Sequence, residues 1–338
     1  MNQSTHAWLA VEAYRKILTL SKTPEGKNKH LQGLEKILGE NLEDVVVASW
    51  LPDSLIKDMT YGHIFKNSKY DGDQQNRFII DKNDLREHLA KDTLIPTVAF
   101  DLVPDTWWNC AYRVKDNGGH LPARINSLSQ TVRDMFRMGD DAVMKLTGIK
   151  SKGSEIVAKK LLFSPKNIAT ILWMMSHYIA DAHMPFHCDN RALASTAKQD
   201  THKKVENIWG KQLSKLFHSK VVLRKNPKEI LSAQLPKVSK FVGLDFGNDI
   251  QPLKNGSDQW KEAVYICRAS FATSFAFVPP SIANVDDQDK NVSLDDIMKD
   301  GCCGEELFWK LSKAIMIDSV NSIAMFWSDT WLDFVKPK

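Results

Sequence analysis

The stretch that decides the fold is SPKNIATILWMMSHYIADAHMPFH, Ser164 to His187. Ser164-Pro165 is a helix start: a hydroxyl that can accept a free backbone N–H, then a residue whose fixed φ suits the first helical position. Apolar side chains follow at steps of three and four, and nothing breaks that period before Pro185. The spacing predicts a helix from Pro165 to about His183. It is too apolar to be mostly solvated. Within it, His177 and Asp181 stand four residues apart, which puts both on one face, one turn from each other. An imidazole and a carboxylate buried together must be paired or bound to a metal.

Outward from this helix the same period recurs. Helices are expected at His6 to Leu20, Leu31 to Leu51 (interrupted near Gly39), Leu121 to Leu146, Thr196 to Phe217, Pro227 to Val242, Gln259 to Phe277 and Glu305 to Phe334. Short alternating runs such as Val221 to Leu223 are too few to build a sheet. Breaks fall at Lys66 to Asn76, Asp116 to Gly119 and Pro279 to Asn291, and none reads as an interdomain linker. The expectation is one compact all-α domain over residues 1–338.

The chain has 338 residues, with 45 Lys and Arg against 41 Asp and Glu, a net charge of +4. That surplus makes no case for nucleic-acid binding on bulk charge alone. Hydrophobic residues at 43% and charged ones at 25% are globular proportions and exclude disorder. Met1 to His6 is mostly polar, so no signal peptide is visible. The most apolar run, Ile168 to Ile179, is cut by His177 and leads to Asp181, which argues against a membrane span. Five cysteines (Cys110, Cys188, Cys267, Cys302, Cys303) leave at least one unpaired within the chain. With no CxxC pair, a thiolate zinc site is disfavoured. Cys302-Cys303 reads as packing or a local redox feature.

The chemistry gathers around His177 and Asp181. His183 and His187 follow, the latter after the turn at Pro185, and His202-Lys-Lys-Val-Glu206 repeats the histidine–carboxylate pair one helical turn apart. A single such pair is more often a surface hydrogen bond or ion pair. Two of them close together, one on an apolar helix, suit a first-row divalent metal, and zinc is the usual occupant of such nitrogen and oxygen sites. Upstream, His6-Ala-Trp8, Trp50-Leu-Pro-Asp53 and His63 are weaker signals. Asp53 alone reads equally well as a turn residue.

Taken in chain order, these residues resemble the bacterial zinc-dependent phospholipases C, whose superfamily includes single-strand-specific nucleases that use three zincs. The resemblance covers roughly the first two thirds of the chain. It implies an all-α domain with a trinuclear zinc cleft, holding two or three ions. One zinc would take Asp53, His63, His177 and Asp181. A second would take His187, His202 and Glu206. A third would take His6, Asp181 as a bridge, and the amino and carbonyl groups of Met1, where the family has tryptophan. The gap from Asp53 to His63 is shorter than the family's. Asp53 would also orient or deprotonate the attacking water. The remaining histidines (His30, His88, His120, His183, His218) read as non-ligands, with His183 placed to support the ligands from behind.

The implied activity is hydrolysis of glycerophospholipids such as phosphatidylcholine to diacylglycerol and a phosphorylated headgroup. The partner would be a membrane surface, engaged peripherally. The protein would be a secreted or otherwise exported bacterial hydrolase linked to lipid degradation and virulence. Glu206 and Trp8 look like the phospholipases. The nuclease branch places an aromatic directly after the histidine matching His63 and an aspartate three after it, and here those positions are Ile64 and Lys66. Phe65 is a candidate substitute for base stacking. Trp107-Trp108 would suit a membrane interface or a choline headgroup, or else the core. Gly118 to Arg124 resembles a turn found in some bacterial members. The part after about Leu216 finishes the core and has no pattern for a membrane-binding β-domain. Two other functions stay open: a single-strand nuclease or phosphomonoesterase of the same superfamily, and a non-catalytic helical protein whose zinc is structural.

Overall fold

A computed structural model describes residues 1–22, 29–57, 62–65, 67–68, 78–80, 112–116, 120–147, 162–189, 191, 193, 201–213, 216, 226–250, 253, 258–279, 282–283 and 292–335. Its helices are α1 (Gln3–Ser21), α2 (Gln32–Glu40), α3 (Val45–Ala48), α4 (Leu121–Arg137), α5 (Asp141–Thr147), α6 (Pro165–Ala182), α7 (Pro185–Cys188), α8 (Thr201–Leu213), α9 (Pro227–Ser232), α10 (Gln259–Phe277), α11 (Leu294–Ile297) and α12 (Glu305–Val335). The fold is all-α. No helix among the described residues is long and apolar enough to cross a membrane.

Helix α6 starts where the Ser164-Pro165 pair predicts. The Ser164 hydroxyl accepts from the Asn167 N–H, and the Asn167 side chain accepts from the Ser164 N–H, a reciprocal cap. It ends at His183, and Met184 turns to extended backbone ahead of Pro185. Every residue of α6 from Leu172 to Ala182 is buried. It packs against α1, α2, α3, α4, α10 and α12, so His177 and Asp181 lie near the middle of the bundle. One continuous apolar core runs through these helices, with Trp173, Trp209, Trp327 and Trp331 fully buried in it.

Three expected helices are shorter or divided. Leu31 to Leu51 breaks at Asn41, whose side chain donates to the Ile37 carbonyl and ends the helix. Leu121 to Leu146 divides at Gly139-Asp140, where the Asp140 carboxylate accepts from the N–H groups of Ala142 and Val143 and starts α5. Pro227 to Val242 stops at Ser232. Ala233 is extended there, and Pro236 disfavours helical backbone at Leu235 and offers no N–H.

The expectation of no sheet needs a small correction. β1 (Asn67–Ser68), β2 (Phe78–Ile80) and β3 (Tyr112–Asp116) pair antiparallel in the order β1-β3-β2, with Asn67 opposite Asp116 and Phe78 opposite Val114. Strands this short leave no period-two signal to read. Cys110, His88, His218, Trp107-Trp108, Val221 to Leu223, Gly118-Gly119 and most of Pro279 to Asn291 lie outside the described residues. Among the described residues, Cys188, Cys267, Cys302 and Cys303 form no disulfide with one another.

Candidate metal centre

Six chain segments deliver the predicted residues to one place. Met1 and His6 come from the start of α1, and Asp53 from a π-helical turn, Pro52–Ile56. His63 lies on the segment 62–65, which is tied down where the Phe65 N–H donates to the His187 carbonyl and the Leu121 N–H to the Ile64 carbonyl. His177 and Asp181 come from α6, His187 from α7, and His202 and Glu206 from α8.

Asp181 is the hub. Its Oδ2 lies 2.7 Å from His63 Nδ1 and 3.2 Å from His177 Nε2. Its Oδ1 lies 3.4 Å from the Met1 amino nitrogen and 3.5 Å from both His6 Nε2 and His187 Nδ1. Asp53 Oδ1 is 3.6 Å from His177 Nε2 and 3.7 Å from His63 Nε2. On the other side, Glu206 Oε1 is 2.5 Å from the Met1 nitrogen, 3.3 Å from His187 Nε2 and 2.6 Å from His202 Nε2.

Several of these separations suit a shared cation better than direct pairing. Donors on tetrahedral bonds of about 2.0–2.1 Å stand roughly 3.3–3.4 Å apart. That is long for a hydrogen bond and close for unpaired polar atoms. Three groups have ligand atoms all within 4.8 Å of one another: His6, Asp53 and His177; His63, His177 and Asp181; and His187, His202 and Glu206. Each could hold a metal ion.

The orphaned polar atoms point the same way. Neither ring nitrogen of buried His6 has a hydrogen-bond partner, and neither does His187 Nδ1. A buried polar atom left unpaired costs about 1–3 kcal/mol, and a cation would offset that. His6 lies beside Asp53 and His177, its ring stacked on His177 at 3.7 Å between centroids.

Sequence reasoning missed several supporting groups. The Ser49 carbonyl lies 2.8 Å from His177 Nδ1. That atom must carry the proton, which leaves the Nε2 lone pair facing the site. Trp50 covers His6 and His177 with ring centroids at 5.8 and 5.9 Å. Tyr178 sits 5.0 Å from the His63 ring and accepts from Arg124 Nε. The sequence signal for Trp50 was its place in Trp50-Leu-Pro-Asp53. The Ser49 contact has no signal, because it uses backbone. His183 turns away from the centre and pairs with the Ser322 hydroxyl at 2.7 Å. Trp8 is buried against Phe241 and Phe246. Phe65 is also buried and offers no open face to a base.

Electrostatics divide the acids. Burial raises the carboxyl pKa of Asp181, but the Met1 amino group, His187 and His177 outweigh it and hold it well below the usual range. Glu206 behaves alike: burial raises it, and Met1 and His202 win. In Asp53 burial prevails, so its pKa is raised. Burial lowers His187 to about 4 and His183 to about 3, and together with His177 it lowers His6 well below the ordinary value. Burial alone would lower the Met1 amino group, but Glu206 and Asp181 raise it to about 10.

A pH profile follows for the chelated protein. His187 and His183 ordinarily titrate near 6.5. Below that pH the unfolded chain takes up protons that the folded one refuses, so stability falls as pH drops towards 4. The raised Met1 value works in the opposite direction: its contribution is complete below pH 8.0 and is lost as pH climbs to about 10. Thermal melts in chelator should peak between these limits. A melting temperature that kept rising below pH 6.5 would contradict this balance.

Gly210 on α8 sets the position of the α1 start. A Cβ there would lie 1.4 Å from Asn2 Nδ2, and Asn2 caps α1 by accepting from the Thr5 N–H. Gly210→Ala is expected to cost about 1–3 kcal/mol through overpacking. Thermal melts of Gly210→Ala, Asn2→Gly and the double variant would check it. The double variant should cost less than the sum of the two single variants.

The chain matches no family model, no curated protein and no solved structure.

Proposed function

We propose that the protein is a zinc-dependent phosphodiester hydrolase, a phospholipase C that releases diacylglycerol and a phosphorylated headgroup from glycerophospholipids. One observation carries this reading: His6, His63, His177, His187 and His202 converge with Asp53, Asp181 and Glu206 at ligand-type spacings. Histidine and carboxylate donors of this kind are those of catalytic zinc sites.

His63, His177 and Asp181 would hold one ion, with Asp53 and His6 beside them, and His187, His202 and Glu206 another. Bound zinc neutralises the phosphate, lowers the pKa of a coordinated water towards neutrality and steadies the leaving alkoxide. The chain's own groups do the rest. Asp53 is the least buried acid of its cluster and the one with a raised pKa, which suits it to orient the attacking water and accept its proton. Asp181, held ionised, pairs with His63 and His177 and stands 3.5 Å from His6 and His187. The Ser49 carbonyl fixes the His177 tautomer.

Burial of Phe65 removes one candidate for base stacking among the described residues, which supports the lipid reading. By resemblance the enzyme would be secreted or otherwise exported and would work peripherally at a membrane surface. The test is release of phosphorylated headgroup from phosphatidylcholine, abolished by chelator and restored by zinc. Faster degradation of single-stranded DNA than of any lipid would replace this reading with the nuclease. Full zinc occupancy with no turnover on any phosphoester would replace it with a structural role.

A further inference from the structure

We propose that the segment delivering Asp53 also docks the protein on a phospholipid surface, an inference that rests on the phospholipase reading above. The turn Pro52–Ile56 buries Pro52 and brings Asp53 to His63 and His177, yet leaves Leu55 73% and Ile56 39% exposed. Just before it, Val47 is 46% exposed, and half-buried Trp50 lies over His6 and His177. Just after it, exposed Lys57 closes the turn in the left-handed conformation, φ 56°, its N–H donating to the Pro52 carbonyl.

A single exposed leucine needs no explanation. Here three aliphatic side chains, an aromatic and a cation lie on one short segment, and that segment carries a candidate metal ligand. A water-soluble phosphodiester would need none of them. A bilayer uses each: an acyl boundary for Val47, Leu55 and Ile56, an interfacial depth for Trp50, and lipid phosphates for Lys57. The positive charge at Lys57 complements anionic headgroups. Docked this way, the segment would bring Asp53 close to the plane in which the phosphodiesters lie.

The experiment measures partition of the zinc-loaded full chain onto phosphatidylcholine vesicles, with and without a minority of phosphatidylserine. The Leu55→Asp/Ile56→Asp variant should bind about tenfold or more weakly, as expected when two apolar side chains lose their acyl contact. Lys57→Glu should weaken binding chiefly on the anionic vesicles. Hydrolysis of a short-chain phosphatidylcholine kept monomeric should stay within about twofold of the parent. Zinc content and thermal melts establish that Asp53 is still in place, and the milder Leu55→Ser/Ile56→Ser variant serves if the aspartates unfold the turn.

Vesicle binding unchanged in both double variants, or absent in the parent, overturns the proposal. So does a parent dimer that the variants dissociate while vesicle binding is unaffected, because a second copy then covers the patch. Partition is read in chelator as well, without turnover. Failure of the phospholipase reading, seen as no hydrolysis of the monomeric lipid, is thereby distinct from failure of docking.

Discussion

Alanine in place of His177 is expected to remove at least one metal ion per chain and to lower headgroup release by on the order of a thousandfold, equivalent to ~4 kcal/mol of barrier. The size follows from position. His177 belongs to two of the three ligand groups, and its Nε2 lies 3.1 Å from His63 Nδ1, 3.2 Å from Asp181 and 3.6 Å from Asp53. Its loss also removes the ring on which His6 stacks and leaves a fully buried void in α6. His202 gives the contrast. It is 33% exposed and contributes to one group only, so His202→Ala should retain more metal and more turnover. Elemental analysis of zinc per chain and a headgroup-release assay on the same samples check both. A His177→Ala protein with its full metal and parental turnover would end the metal-centre reading.

The largest expected loss of stability comes from Arg191→Ala, about 3–5 kcal/mol. The Arg191 guanidinium is buried. It donates to the Asp189 carboxylate at 2.7 Å, to the Val278 and Ala283 carbonyls at 2.7 Å each, and to the Ser274 hydroxyl at 3.3 Å, and it lies 4.0 Å over the Phe275 ring. Without it a buried carboxylate loses its counter-ion and two carbonyls lose a donor. Because Asp189 is two residues past His187, a ligand-type residue of the candidate centre, metal content should fall as well. Arg191→Lys restores the charge but not the planar fork, so its cost should be intermediate. Urea titrations of the three proteins decide it, and a midpoint unchanged in Arg191→Ala would refute this account of the knot.

Why α6 was legible in the sequence and the rest of the centre was less so has a physical reason. The Ser164-Pro165 start, the unbroken apolar period and the four-residue step from His177 to Asp181 are local, and a helix converts such steps directly into geometry. Glu206 and His202 were legible for the same cause. Asp53 and His63 come from irregular backbone, where spacing carries no geometry, and only a resemblance singled them out. The ends of α2, α4 and α9 were misjudged because side-chain hydrogen bonds at Asn41 and Asp140, and the extended backbone before Pro236, override apolar periodicity. The Ser49 carbonyl could not be foreseen, since every residue has one. Arg191 drew no attention for a related reason: its partners include carbonyls some ninety positions away.

The packing of α1 against α12 bears on the order in which the molecule can assemble. Helix α12 supplies no member of the centre, yet α1, which carries His6, rests on it. The wall behind His6 is thus built from residues far along the chain, as in the Lys16 ammonium donating to the Asn321 side chain 305 positions away. Closing so long a loop is entropically costly and slow. Helix α1 also rests on α2, α3, α6 and α8, so the place of His6 is set jointly by these contacts. An ordered candidate centre therefore depends on contact between two helices that are distant in sequence.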